Sequence, residues 1–348
     1  MDTATFVPFE QTELTDGFWL DRYELNRRVS IENVRRRFED SGRFDAMRFN
    51  FLKNGRRPHI FFDSDVAKWM EAVAYLAVKD PEGMQEHLAL CEQLIACMEA
   101  AQRPDGYLNS THQQLMPEQI FRVRGNHELY CAGHLIEAAI AYHRATGRDR
   151  FLKIMERYCE CIRRAFITER TAAFTTPGHE EIELALVKLY RHTGEKRYLE
   201  LSRWFVEERG RHEEGLYEMF PSKHAQDHLP VRQMETAEGH CVRALYLYSA
   251  MADLAYEYQD EELLGVCRRI FLNIVRRRMY VTGGVGSTAH GEAFTVDYDL
   301  PNRTAYAESC ASIALIFFAR RMLRLEADSL YADTMERVLY NGFLSSVS

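Results

Sequence analysis

Two helices joined by a Thr-Gly turn occur in AIAYHRATGRDRFLKIMERYCECI, residues 139–162, and again in ALVKLYRHTGEKRYLELSRWFVEE, residues 185–208. In both stretches apolar residues return every three or four positions, the spacing that lays them along one face of a helix. Gly147 and Gly194 follow the first helix of each, where a left-handed residue stops the helix and glycine adopts it at little cost. Looser copies are AVAYLAVKDPEGMQEHLALCEQLI, turning at Asp80-Pro81, and LYSAMADLAYEYQDEELLGVCRRI, turning at Gln259-Asp260. CASIALIFFARRMLRLEADSLYADTMERVL forms a fifth pair. With a helix in DRYELNRRVSIENVRRRF the pattern predicts about eleven helices and almost no strand.

Stacked antiparallel pairs make either an open solenoid or a closed ring of inner and outer helices. The first helix of each pair is apolar and rich in small residues, as in EAAIAY, ELALVKLY and CASIALIFF, whereas the second is more charged. That contrast favours an all-α (α/α) barrel. Parallel inner helices would open their N-termini on one face, together with the longer connections between pairs.

The residues at those N-termini repeat in kind. GNHELYCAGH supplies His127, Glu128 and His134, PGHEEIELAL supplies His179, Glu180 and Glu181, EGHCVRALY supplies His240, and AYAESCAS supplies Glu308 and Cys310. Each histidine taken alone reads as a helix cap or a satisfied hydrogen-bonder. Gathered on one rim, imidazoles and carboxylates at several positive helix ends make a polar cup for a hydroxyl-rich ligand such as a carbohydrate. FFDSDVAKW adds Asp63 or Ser64, one of them read as the helix cap, and Trp69, read as a sugar-stacking face. Glu292 and Glu308 are a carboxylate pair of the kind glycoside hydrolysis uses, and Glu308 and Cys310 are two donors suited to zinc.

Other chemistries are excluded. YVTGGVGSTAHG lacks the Gly-Lys-Ser/Thr ending and the preceding strand of a phosphate loop. The net charge of −8, with 44 basic and 52 acidic residues, offers no basic surplus for nucleic acid. No stretch reaches the roughly 20 apolar residues of a membrane span, and the N-terminus has no charged-then-apolar leader. The eight scattered cysteines read as reduced thiols in apolar helices, so the expected compartment is the cytoplasm. Oligomeric state is not legible.

The run YVTGGVGSTAHGEAFTVDYDLPNRTAYAESCASIALIFFARRM, with HELYCAGHLIEAAIAYHRATG and PGHEEIELALVKLYRHTGEKRYL, resembles glycoside hydrolase family 127, the β-L-arabinofuranosidases, over essentially the whole chain. The resemblance implies an (α/α)6 barrel catalytic domain followed by β-sandwich domains. It implies a retaining exo-glycosidase that releases L-arabinofuranose from oligosaccharides or glycopeptides. By position, Glu292 matches the general acid/base. Glu308 and Cys310 match two of four zinc ligands, and His127, His179 and His240 match the histidines that hold sugar hydroxyls. The family's nucleophile is one of two adjacent cysteines further on, which also complete the zinc site. No cysteine follows Cys310 in these 348 residues. Residues 1–348 are therefore expected to form a single barrel domain that is incomplete at its C-terminal end. The alternatives are an inverting hydrolase or sugar epimerase on the same barrel, and a carbohydrate-binding relative without turnover.

Overall fold

The Thr-Gly turns behave as their chemistry dictates. In the computed structural model, which describes residues 4–51, 57–211 and 222–347, Gly147 closes its helix at φ 71° and its amide donates to the His143 carbonyl. A methyl group added there would touch nothing, so this glycine is used for its backbone alone. The chain is all-α, and among the described residues β-type pairing is confined to isolated bridges.

Two compact units share the chain. The first holds Val7–Phe174 and Arg191–Gly194. Its helices are Gly17–Leu25 (α1), Ile31–Ser41 (α2), Arg43–Met47 (α3), Phe62–Lys79 (α4), Gln85–Ala101 (α5), Ser110–Leu115 (α6), Glu128–Thr146 (α7) and Arg150–Arg163 (α8). The second holds Met1–Phe6, Thr175–Tyr190 and Glu195–Ser348. It carries the body of Ile182–Thr193 (α9), then Lys196–Glu208 (α10), Cys241–Tyr258 (α11), Glu261–Asn273 (α12), Ser309–Leu325 (α13) and Ser329–Arg337 (α14). A wider turn at Asn26–Ser30 makes α1 and α2 continuous. With the short α3 and α6 set aside, the long helices among the described residues number eleven, as the periodicity predicts.

Among the first helices of the pairs, α4 packs on α7 and α11 on α13, and α5, α8, α12 and α14 pack against their own first helices. Helix α11 is buried at every residue from Cys241 to Ala255. Its partner α12 buries a stripe that includes Leu263, Leu264, Cys267, Ile270 and Phe271. Each large apolar side chain in these layers contributes roughly 1.5–3 kcal/mol. The inner-and-outer contrast read from composition thus has a packing counterpart.

Two expectations at α4 are corrected. Trp69 is a core residue, buried against Phe44 at 5.1 Å, with its indole N–H donating to the Ile31 carbonyl at 3.1 Å. It offers no face to a sugar. Asp63 caps nothing in its own helix. It is buried and accepts from the Ser110 amide at 2.8 Å and from the Ser110 hydroxyl, tying α4 to α6. Among the described residues no helix is long and apolar enough to cross a membrane.

Candidate active site

The best-formed constellation lies within the second unit, at the start of α11. Gly239 has φ +73°, and a Cβ there would fall 1.9 Å from the Lys223 carbonyl oxygen, so only glycine fits. Its own carbonyl accepts the Phe294 amide at 2.9 Å, and His240 pairs with Ala293 in an antiparallel bridge. These backbone contacts bring the turn before α11 against the turn that carries Glu292. His240 Nε2 consequently stands 2.8 Å from the Glu292 carboxylate.

Glu292 is partly exposed, sits at φ 51° and also accepts the Tyr306 hydroxyl at 2.9 Å. The His240 hydrogen bond, with that of Tyr306, holds its carboxyl at about 2. Although Nε2 and the carboxylate are close, they are not an ion pair at neutral pH, because burial pushes His240 down and keeps its ring neutral.

Two more imidazoles flank this pair. The ring of His179, which precedes α9, stands edge-on to His240 at 5.6 Å, and that of His224 at 5.4 Å. His224 was not among the residues singled out from sequence. Its one signal is a second histidine four residues on, in a connection between helix pairs. Burial, reinforced by Arg243, pushes it down to about 3, so it is a neutral hydrogen-bonder.

The segments bearing His179 and His224 are clamped by Arg209, whose side chain is fully buried. Its guanidinium donates to the carbonyls of Pro177 at 2.9 Å and Ala225 at 2.8 Å. It also meets Glu180 at 3.1 Å, Glu183 at 3.2 Å and Asp227 at 3.3 Å. Burial pushes Glu180 above the usual carboxylate range against the pull of Arg209.

Tyr306 reaches Glu292 because the Gly286 carbonyl accepts the amides of Tyr306 and Ala307, at 3.1 and 3.0 Å. Ala307 takes φ 41° there, a left-handed conformation that a non-glycine residue holds only where the surroundings enforce it. Glu308 then begins α13 without capping it through its side chain. Burial, together with the charge of Glu292, pushes its carboxyl up to about 7. Cys310, in the first turn, is the one exposed cysteine of the eight. Glu308 and Cys310 are donors zinc accepts, but a closed site needs four. Among the described residues they join no third His, Cys, Asp or Glu donor within 4.8 Å.

His127 belongs to the first unit. It begins α7 at φ 58°, with Nδ1 2.7 Å from the Gly125 carbonyl and its ring beside Phe61 and Tyr130. The neighbouring Glu128 is buried, accepts the Tyr107 hydroxyl at 2.5 Å and the Phe121 amide, and is pushed up to about 7 by burial.

The comparisons with known proteins bear on the chain as a whole. The family model described as Beta-L-arabinofuranosidase, GH127 catalytic domain, matches residues 11–348. The non-reducing end beta-L-arabinofuranosidase of Bifidobacterium longum subsp. longum is 40% identical over 312 residues, covering 83% of this chain and 47% of that protein. Among solved structures, Ara127N-Se, a GH127 beta-L-arabinofuranosidase from Geobacillus stearothermophilus T6, superposes with a TM-score of 0.88 at 46% identity. It is matched over 96% of this chain and 56% of its own. The GH127 beta-arabinofuranosidase BT3674 gives 0.87 at 34% identity, over 98% and 55% respectively. The chain therefore spans about half the length of these relatives. The agreement in fold accords with the (α/α) barrel that the helix pairs imply. Sequence and fold lead to one assignment: this chain belongs to the GH127 β-L-arabinofuranosidase catalytic-domain family.

Proposed function

We propose that the chain is the catalytic part of a retaining exo-glycosidase that removes terminal L-arabinofuranose from β-L-arabinofuranosides on oligosaccharides or glycopeptides. The observation that carries this reading is Glu292 held on His240, beside the imidazoles of His179 and His224, in a chain matched to the GH127 catalytic domain from residue 11 to residue 348. His224, kept neutral by burial, is suited to sugar hydroxyls, since a neutral imidazole both donates and accepts, and His179 and His127 are proposed for the same task.

Glu292 is the general acid and then the general base. It gives a proton to the departing glycosidic oxygen as the anomeric C–O bond breaks, and later takes one from the water that releases the sugar. In the free site it is ionised, which suits the second role. The first requires that bound substrate exclude water and displace the Tyr306 hydroxyl, both of which raise a carboxyl pKa.

The nucleophile expected on the opposite face is a cysteine thiolate from outside these 348 residues. Glu308 and Cys310 are the residues of this chain that would hold zinc, which when bound keeps coordinated thiols deprotonated.

The test uses these residues together with the segment that supplies the cysteine, and compares that protein with its Glu292→Gln variant on an aryl β-L-arabinofuranoside. A fall in kcat/KM of about 10²–10⁴ is expected, the usual worth of a positioned acid-base group. Unchanged turnover would overturn the assignment. A second reading, hydrolysis by two carboxylates, draws on the interaction of the Tyr306 hydroxyl with both Glu292 and Glu308. The two readings part on chelation, which stops a zinc-thiolate enzyme and leaves a two-carboxylate enzyme running.

A further inference from the structure

We propose that His240 is a positioning residue for Glu292, and that the N-terminus of α11 makes it one by fixing which ring nitrogen carries the proton. His240 is the N-cap of α11, and its Nδ1 lies 3.2 Å from the Val242 amide and 3.4 Å from the Arg243 amide. Both are N–H donors, so Nδ1 must accept and bears no proton. In the neutral ring the proton is then on Nε2, the nitrogen 2.8 Å from the Glu292 carboxylate. His240 is a donor of fixed direction.

Protonating Nδ1 would break the cap and set a cation at the positive end of a helix buried from Cys241 to Ala255, next to Arg243. The surroundings deny the ring other freedoms. Gly239 cannot be replaced without collision, and the His240 amide donates to the His224 carbonyl at 3.3 Å. His179 and His224 both stand edge-on to it. The two α11 amides hold Nδ1 at the helix end, and Glu292, on a left-handed turn, accepts from Nε2 and from Tyr306.

This differs from a histidine whose task is to hold a sugar hydroxyl. A hydroxyl can exchange donor and acceptor, so a hydroxyl-binding ring has no need of one tautomer. A carboxylate only accepts, so the ring that aims it must donate.

The inference rests on the proposed role of Glu292 only for its effect on turnover. The protonation state is read without turnover, by long-range proton–nitrogen NMR on the uniformly 15N-labelled protein, with His240 assigned through its loss in His240→Asn. The expected pattern at pH 7 is one protonated nitrogen, Nε2, and one bare nitrogen, Nδ1. Protonation at Nδ1, alone or together with Nε2, would overturn the proposal even in a protein that hydrolyses nothing.

Two variants separate cap from aim. In His240→Asn the side-chain oxygen can still cap α11 but no donor reaches Glu292. Thermal stability should stay within about 1 °C of wild type, while kcat falls at least about tenfold and KM changes by less than about threefold. In His240→Gln the amide reaches towards Glu292 from the position of Nε2 and the cap is lost. The expected outcome is a melting temperature lower by about 1–3 °C with more of kcat retained than in the Asn variant. A rise in KM at unchanged kcat in the Asn variant would make His240 a sugar holder and sink the positioning role.

Discussion

Gly239 is the residue on which the site's backbone depends most directly. Replacing it with alanine puts a methyl group into the Lys223 carbonyl and forces a left-handed conformation on a residue with a Cβ. A loss of about 2–4 kcal/mol is expected in denaturant unfolding, more than a surface substitution costs. Cys310 allows a second prediction at this scale. It is exposed, while Cys91, Cys131, Cys241 and Cys267 are buried with thiols pushed up by burial. Alkylation of the native protein, followed by mass spectrometry, should therefore modify Cys310 first, and Cys310→Ser should remove that fast phase. The sequence marked Cys310 as a zinc donor through a resemblance. Its exposure is set by packing, since Cys241 in the first turn of α11 is buried, and residue type alone does not reveal it.

Among the elements, the segments before α9 and α11 are held by one buried cation. Arg209→Met would leave Glu180, Glu183 and Asp227 without their shared partner, and a loss of about 3–5 kcal/mol is expected. Near-wild-type stability would mean that these carboxylates are neutral or find water. Helix α7 gives a pH prediction. Burial raises Glu128 from 4.5 to about 7, so its neutral form is favoured by folding. Its contribution is fully present below about 4.5 and is lost as pH rises towards 7. The buried His112, 3.6 Å away and lowered to about 4, acts oppositely, favouring the fold above about 6.5 and less as pH falls. Comparison with Glu128→Gln isolates the first effect: relative to wild type, the variant should gain up to about 3 kcal/mol between pH 4.5 and pH 7.5. A constant difference across that range would refute the raised carboxyl. The periodicity located α7 and Gly147 at its end. It carried no sign that Glu128 points inward at Tyr107, because helix spacing says which face is apolar and not which polar residue is drawn under it.

At the scale of the molecule, a net charge of −8 and a sequence pI near 5.9 place the solubility minimum close to pH 6, measurable by light scattering across pH. What the sequence determined by itself was local and periodic. Apolar spacing of three and four made the chain all-α, the Thr-Gly pairs set where helices stop, and His240 fell at a helix start because capping is decided within one turn. What only the tertiary structure decided was who meets whom across the loops. His224 reaches His240 over 16 residues, Tyr306 reaches Glu292 over 14, Arg209 gathers carboxylates on both sides of it, and Trp69 turns into the core. No period encodes such pairs. They form because packing the apolar faces fixes the backbone first, and buried polar groups then take the partners that burial leaves within reach.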